Sequence, residues 1–228
     1  MQTERITVFT GNYGSGKTEL ALHTALTLAE RQSHVTLVDM DIVNPYFRSS
    51  EKRALLEAHG VQVIAPTFAG TTVDIPALPA QMVSVFDNPT GTVVIDVGGD
   101  DTGATALGRF HAYFQREPYV MHYVINTLRP MSQDEWGIDR MMEGICRRSR
   151  LQIADLIHNT NLARETTAQM VVEGQRIVDQ VSARTGLPCA FLAGTPEILA
   201  ALPETLRARF AGRMIAFEPM MRPDWLDM

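Results

Sequence analysis

The chain of 228 residues sets 20 Lys and Arg against 26 Asp and Glu, for a formal net charge of −6, and is 45% hydrophobic and 20% charged. That acidic balance argues against a dedicated nucleic-acid surface, which needs clustered cations to displace phosphate counterions. No run of about 18 apolar residues is present to span a membrane, and Cys146 and Cys189 lack metal-ligand spacing, so they are expected as free thiols of a cytoplasmic protein.

The first residues run directly into a buried strand, Arg5 to Thr10, with no secretory pattern before it. Residues 11–18 then read Gly11-Asn12-Tyr13-Gly14-Ser15-Gly16-Lys17-Thr18, a complete G-x-x-x-x-G-K-[ST] phosphate-binding loop. Its glycines let backbone N–H groups converge on phosphate oxygens. Lys17 brings a point charge to the β- and γ-phosphates, and Thr18 offers its hydroxyl to Mg²⁺. Glu19 opens a helix with apolar residues at Leu20, Ala21, Ala25, Leu28 and Ala29. Bound phosphates would therefore sit at a helix N-terminus, where the dipole favours anions.

Val35 to Val38 is a second strand, ending at Asp39-Met40-Asp41. Strand alternation predicts that the two carboxylates share a side. Asp39 is read as the metal-side partner and Asp41 as the residue that positions an attacking water, with the reverse order open. Asn44-Pro45-Tyr46-Phe47-Arg48 follows, either a switch or partner surface or a hydrophobic staple for the next helix. A helix is expected from Ser50 to His59 and a strand from Val61 to Ile64. Four prolines between residues 66 and 90 predict an irregular crossover, with a helical turn near Gln81 to Phe86.

Thr92 to Ile95 is the next strand. It ends at Asp96-Val97-Gly98-Gly99, a D-x-x-G arrangement in which Asp96 would hold Mg²⁺ and Gly99 would meet the γ-phosphate. Thr105 to Arg116 is expected as a helix and Tyr119 to Ile125 as a strand ending at Asn126. Ser132 is expected to cap a helix that runs to Arg148. Ile153 to Ile157 reads as a strand ending at His158-Asn159-Thr160-Asn161. Thr166 to Thr185 reads as an amphipathic helix stopped by Gly186, and Cys189 to Leu192 as a strand before Thr195-Pro196. Residues 204–213, with Arg207, Arg209 and Arg213, are expected as a packed terminal helix. Arg147, Arg148 and Arg150 complement a helix dipole, and His111, His122 and His158 are read as ordinary surface or core histidines.

Alternating apolar strands and amphipathic helices predict a single domain over residues 1–228, a three-layer, doubly wound α/β fold with a mainly parallel sheet and helices on both faces. Ligands of such sheets bind at the carboxyl ends of the strands, and those ends here carry the phosphate loop, acidic residues and amides. Asn159, Asn161, Thr195 and Pro196 are candidates for a base pocket, with turn chemistry the alternative for the asparagines. Asn161 stands where a guanine site would have a carboxylate. That favours ATP over GTP, because an amide can pair with the adenine amino group.

Gly11–Thr18, Val38-Asp39-Met40-Asp41, Ile95–Gly99, Asn159 and Pro196 together resemble the MinD/ParA-like P-loop ATPases (the CobQ/CobB/MinD/ParA nucleotide-binding domain). The resemblance implies ATP and Mg²⁺ as ligands and a slow ATPase that switches a protein partner, while the acidic charge, the lack of an apolar span and the lack of a MinD-type lipid-binding tail argue against nucleic acid and membrane as partners. A small-molecule synthetase, amidase or kinase of the same superfamily is the alternative, and a metal-delivery GTPase a further one. Many of these proteins carry a second lysine early in the loop that reaches a partner's nucleotide. Asn12 stands there instead, so a homodimer would have to form without it.

Overall fold

The computed structural model describes residues 4–41, 52–65, 81–87 and 90–221. Among these, eight strands form one sheet in the order β3-β2-β4-β1-β5-β6-β7-β8, and every neighbouring pair is parallel. The strands are β1 (Ile6–Gly11), β2 (Val35–Met40), β3 (Val61–Ile64), β4 (Thr92–Val97), β5 (Tyr119–Ile125), β6 (Asp155–His158), β7 (Cys189–Gly194) and β8 (Met214–Ala216). Parallel neighbours require crossovers, and the helices supply them. They are α1 (Lys17–Ala29), α2 (Arg53–Ala58), α3 (Gln81–Asp87), α4 (Asp101–Gly108), α5 (His111–Phe114), α6 (Glu135–Ser149), α7 (Ala168–Thr185), α8 (Pro196–Ala200) and α9 (Glu204–Arg209).

Each face of the sheet buries its own core. On one, Phe9, Leu37, Val94, Val124 and Ile157 pack against Leu20, Ala21 and Ala25 of α1. On the other, Ile6, Val8, Ile95 and Tyr123 pack against Leu107 of α4, Ile138 and Met142 of α6 and Val178 of α7. The central strand β1 is buried along its whole length, as helices covering both sides of the sheet require. The expected three-layer parallel architecture is present.

Several boundaries differ from the sequence reading, each for a local reason. The helix expected over Thr105–Arg116 is two helices. Asp100 starts the first by accepting from Gly103 N at 2.9 Å, and Phe110 begins the second. Ser132 caps nothing. Asp134 caps α6 by accepting from Gly137 N at 2.7 Å, while Ser132 is buried and takes a hydrogen bond from Asn12. The sixth strand starts at Asp155, not Ile153. Thr167 caps α7, and Gly186 ends it in the left-handed conformation (φ 73°), as helix C-termini favour. The expected terminal helix is instead short α9 followed by the edge strand β8. The Asn44–Arg48 surface and most of the proline-rich crossover lie outside the described residues.

Candidate functional site

The phosphate loop joins β1 to α1 between the two inner neighbours of β1, β4 and β5, where the chain has wound to either side. Gly14 and Gly16 both adopt positive φ (71° and 88°), which L-residues with a Cβ resist. Gly16 has a second constraint, because a Cβ there would lie 2.2 Å from Asn159 Nδ2. Asn159 is buried and donates to Ser15 O at 2.8 Å. The residue expected to read a base therefore braces the loop.

Three carboxylates gather behind the loop. Asp39 and Asp96 are register partners on β2 and β4, and both are almost wholly buried with Asp41 close to them. Thr18 Oγ1 donates to Asp96 Oδ2 at 2.7 Å. Asp96 Oδ1 is buried and has no hydrogen-bond partner among the described residues. Burial pushes the Asp96 carboxyl up to about 7, with Asp39 and Asp41 adding to the shift while Lys17 and the Thr18 hydrogen bond oppose it. Asp41 N donates to Asp39 Oδ1 at 2.9 Å, a two-residue turn of the kind short acidic side chains make. Strand alternation therefore does not govern the pair, because Asp41 already lies past the end of β2. The Asp41 carboxylate instead lies beside Gly98.

These groups fit a hard cation. Mg²⁺ is held by one or two carboxylates, a hydroxyl, waters and phosphates, not by an all-protein cage. A buried carboxylate oxygen without a donor, beside a committed hydroxyl, is what such a site requires. Among the described residues no cluster of three or more His, Cys, Asp or Glu is arranged to hold a metal by itself. Ser15 Oγ and Asn159 Oδ1 are likewise buried without partners, so unsatisfied polar atoms concentrate along this loop. Gly99 packs on the loop backbone so closely that a Cβ would lie 2.7 Å from Tyr13 N and 2.8 Å from Gly11 O.

Asn12 faces its own chain. Its Nδ2 donates to Pro130 O at 2.6 Å and Ser132 Oγ at 3.2 Å, and its Oδ1 accepts from Tyr13 N at 2.8 Å. Asn126, past the end of β5, joins three segments. It donates to Gly14 O and Asn161 O and accepts from the N–H groups of Leu128 and Asn161. Behind it runs a buried chain of hydrogen bonds, Thr127 to Thr160 (2.9 Å), Thr160 to His158 (2.7 Å) and His158 to Gln175 of α7 (2.7 Å). Burial drives His158 down to about 4, so it is neutral at pH 7.

A cavity of about 640 Å³ opens from the loop, within the range of small-molecule sites. Tyr13, Gly14, Gly16, Lys17, Thr18, Glu19 and Asp41 line it, together with Asn159, Asn161 and Thr195. Pro196 opens α8, which Thr195 caps through its hydroxyl. Asn161 Nδ2 donates to Asn159 O at 2.8 Å, which leaves the amide oxygen and its second N–H for a base. Adenine and guanine both offer a donor to such an oxygen, so the sequence-based preference for ATP loses its footing. Sequence reasoning also missed Arg129, Arg164, Glu197 and the wall formed by Phe217, Glu218 and Met221. Arg129 Nε donates to Gly14 O at 3.2 Å. Its only sequence signal was its place just after a strand end.

No protein-family model matches the chain, and no curated protein matches it in sequence. Solved structures do match. The cell division protein FtsY of Thermotoga maritima is 17% identical over 85% of this chain and 62% of its own, with a TM-score of 0.56. Chloroplast FtsY of Physcomitrella patens is 12% identical over 84% and 59%, with a TM-score of 0.57. The signal recognition particle 54 kDa protein of Aeropyrum pernix, in complex with GDP, is 23% identical over 93% and 46%, with a TM-score of 0.54. The fold is that of a P-loop NTPase. This chain spans less than two thirds of each of those proteins, and identities this low show the fold alone. That likeness lends no specific support to the MinD/ParA-like resemblance. No described helix is long and apolar enough to cross a membrane, and Cys146 and Cys189 are both free.

Proposed function

We propose that this protein binds a purine nucleoside triphosphate with Mg²⁺, hydrolyses it slowly and uses the difference between states to switch a protein partner. One observation carries the reading. Thr18 donates to one oxygen of buried Asp96 and leaves the other without a partner, with Lys17 nearby, and Lys17 and Thr18 line a cavity of about 640 Å³. Thr18, Asp96 and Asp39 would hold the cation. Lys17 and the loop N–H groups from Gly11 to Thr18 would bind phosphates, and Gly99 would meet the terminal one. Bound Mg²⁺ would neutralise charge developing on the phosphates. Asp41 would orient the attacking water, as its place in the cavity lining supports.

A switch needs a surface that its ligand can alter. Tyr13 in the loop, Met131 and Trp136 are all exposed around the Asn12–Ser132 junction, and this supports a partner-docking role there. ATP is the ligand read from the sequence. GTP is the second reading, favoured by the Glu197 and Glu218 carboxylates in the cavity, which could accept from guanine N1–H and N2–H₂, and consistent with GDP in the Aeropyrum structure.

Calorimetry of ATP and GTP with Mg²⁺ on the wild type and Lys17→Ala, with phosphate release followed in parallel, tests the reading. Binding that Lys17→Ala abolishes, with slow turnover, is the expected result. No binding of either nucleotide by the wild type would end it.

A further inference from the structure

Past β8 the chain folds back over the start of α1. Phe217 N donates to Gly194 O at 3.1 Å and extends the pairing with β7. Phe217 and Met221 are both buried in the core on the α1 side, and the Phe217 ring lies 6.2 Å from that of His23. Between them, Glu19 fastens the segment with both carboxylate oxygens. Met220 N donates to Oε2 at 2.9 Å and Met221 N to Oε1 at 2.7 Å. Glu19 directly follows Thr18, so one residue of the phosphate loop's own helix grips the C-terminal segment.

That segment lines the cavity. Phe217, Glu218, Pro219 and Met221 share it with Lys17, Thr18, Asn161 and Thr195. Its chemistry does not suit phosphate, because it brings apolar surface and a carboxylate and no cation. It suits a flat heterocycle and a hydroxylated ribose, since a base is accommodated by apolar side chains and hydroxyls donate to a carboxylate.

We propose that Phe217–Met221 is a wall of the nucleoside subsite, held closed by Glu19, so that Glu19 sets affinity for the nucleoside half of the ligand and not for its phosphates. The proposal rests on the nucleotide-binding reading above. Glu19 then acts as a positioning residue. Both of its oxygens are committed to backbone N–H groups, and its effect on the ligand passes through the segment it holds.

The test measures binding of the Mg²⁺ complexes of ATP, GTP and inorganic tripolyphosphate to the wild type, Glu19→Ala, Pro219→Gly and Lys17→Ala. Amide hydrogen exchange is followed in a peptide covering 214–221. Glu19→Ala should weaken the bound nucleotide by about tenfold or more while tripolyphosphate changes by less than about twofold. Pro219→Gly, an exposed change that leaves α1 untouched, should act in the same direction. Lys17→Ala should weaken all three ligands. Nucleotide, and not tripolyphosphate, should slow exchange at Met220 and Met221. An equal loss of nucleotide and tripolyphosphate in Glu19→Ala would overturn the proposal, as would nucleotide binding indifferent to both variants or exchange that bound nucleotide leaves unchanged. A wild type that binds tripolyphosphate as tightly as nucleotide would also end it. A wild type that binds none of the three would remove the nucleotide reading itself, and the proposal with it.

Discussion

Asp39 and Asp96 face each other as register partners on β2 and β4, two buried carboxylates on adjacent parallel strands with Lys17 as the nearby cation. Like charges so placed disfavour joint ionisation. A bound cation would offset that repulsion and the burial of Asp96.

Asp96→Asn tests that relation. The amide keeps an acceptor for the Thr18 hydroxyl and removes the charge. The nucleotide-free variant should be more stable than the wild type by about 1–2 kcal/mol, while the extra stabilisation by Mg²⁺ with nucleotide disappears. Thermal unfolding with and without Mg²⁺ and nucleotide reads both. A destabilised variant that still responds to Mg²⁺ would refute the assignment.

Two buried groups give opposite pH dependences. Asp96 holds its proton up to about 7 in the folded chain, against 3.8 as an ordinary carboxyl, so the native state binds more protons in that window and this contribution falls as pH rises. His158 is lowered from 6.5 to about 4. The unfolded chain binds more protons there, so its contribution is lost as pH falls through that window. The two offset between about pH 4 and 6.5. Urea unfolding across this range should show Asp96→Asn losing stability towards acid more steeply than the wild type. His158→Gln should show the reverse, gaining stability towards acid.

Gly174 in α7 sits against the buried hydrogen-bond chain. A Cβ there would lie 2.5 Å from Thr160 Oγ1 and 2.7 Å from Thr127 Oγ1. Gly174→Ala gains helix propensity but forces those hydroxyls apart. It should destabilise by about 1–3 kcal/mol and weaken nucleotide binding, because Thr160 also lines the cavity. Calorimetry and a denaturant titration would show whether the two losses come together.

Asn12→Ala removes the donor to Pro130 O and buried Ser132 Oγ. The expected cost is about 1–2 kcal/mol, read by urea unfolding. If Asn12 served an intersubunit contact instead, the substitution would change the sedimentation coefficient and leave the monomer's stability alone.

Seven of the eight strands and the position of the phosphate loop were legible in the residues alone, while the edge strand β8 was not. Short runs rich in β-branched residues, such as Ile6–Phe9 and Val93–Ile95, bounded by Gly and Asp, read as strands covered on both faces, and the loop's glycines and lysine carry their chemistry at fixed local spacing. Asp96 was legible for the same reason, at the end of such a run. What the amides and carboxylates do depends on how the elements pack. Asn159 turns to Ser15, and Asn12 to Pro130 and Ser132. Asp39 pairs with Asp96 across two strands as well as with its near neighbour Asp41. Glu19 grips a segment 201 residues further along. Hydrogen-bond partners of this kind are set by distances between elements far apart in sequence, and no local pattern of residue types encodes them.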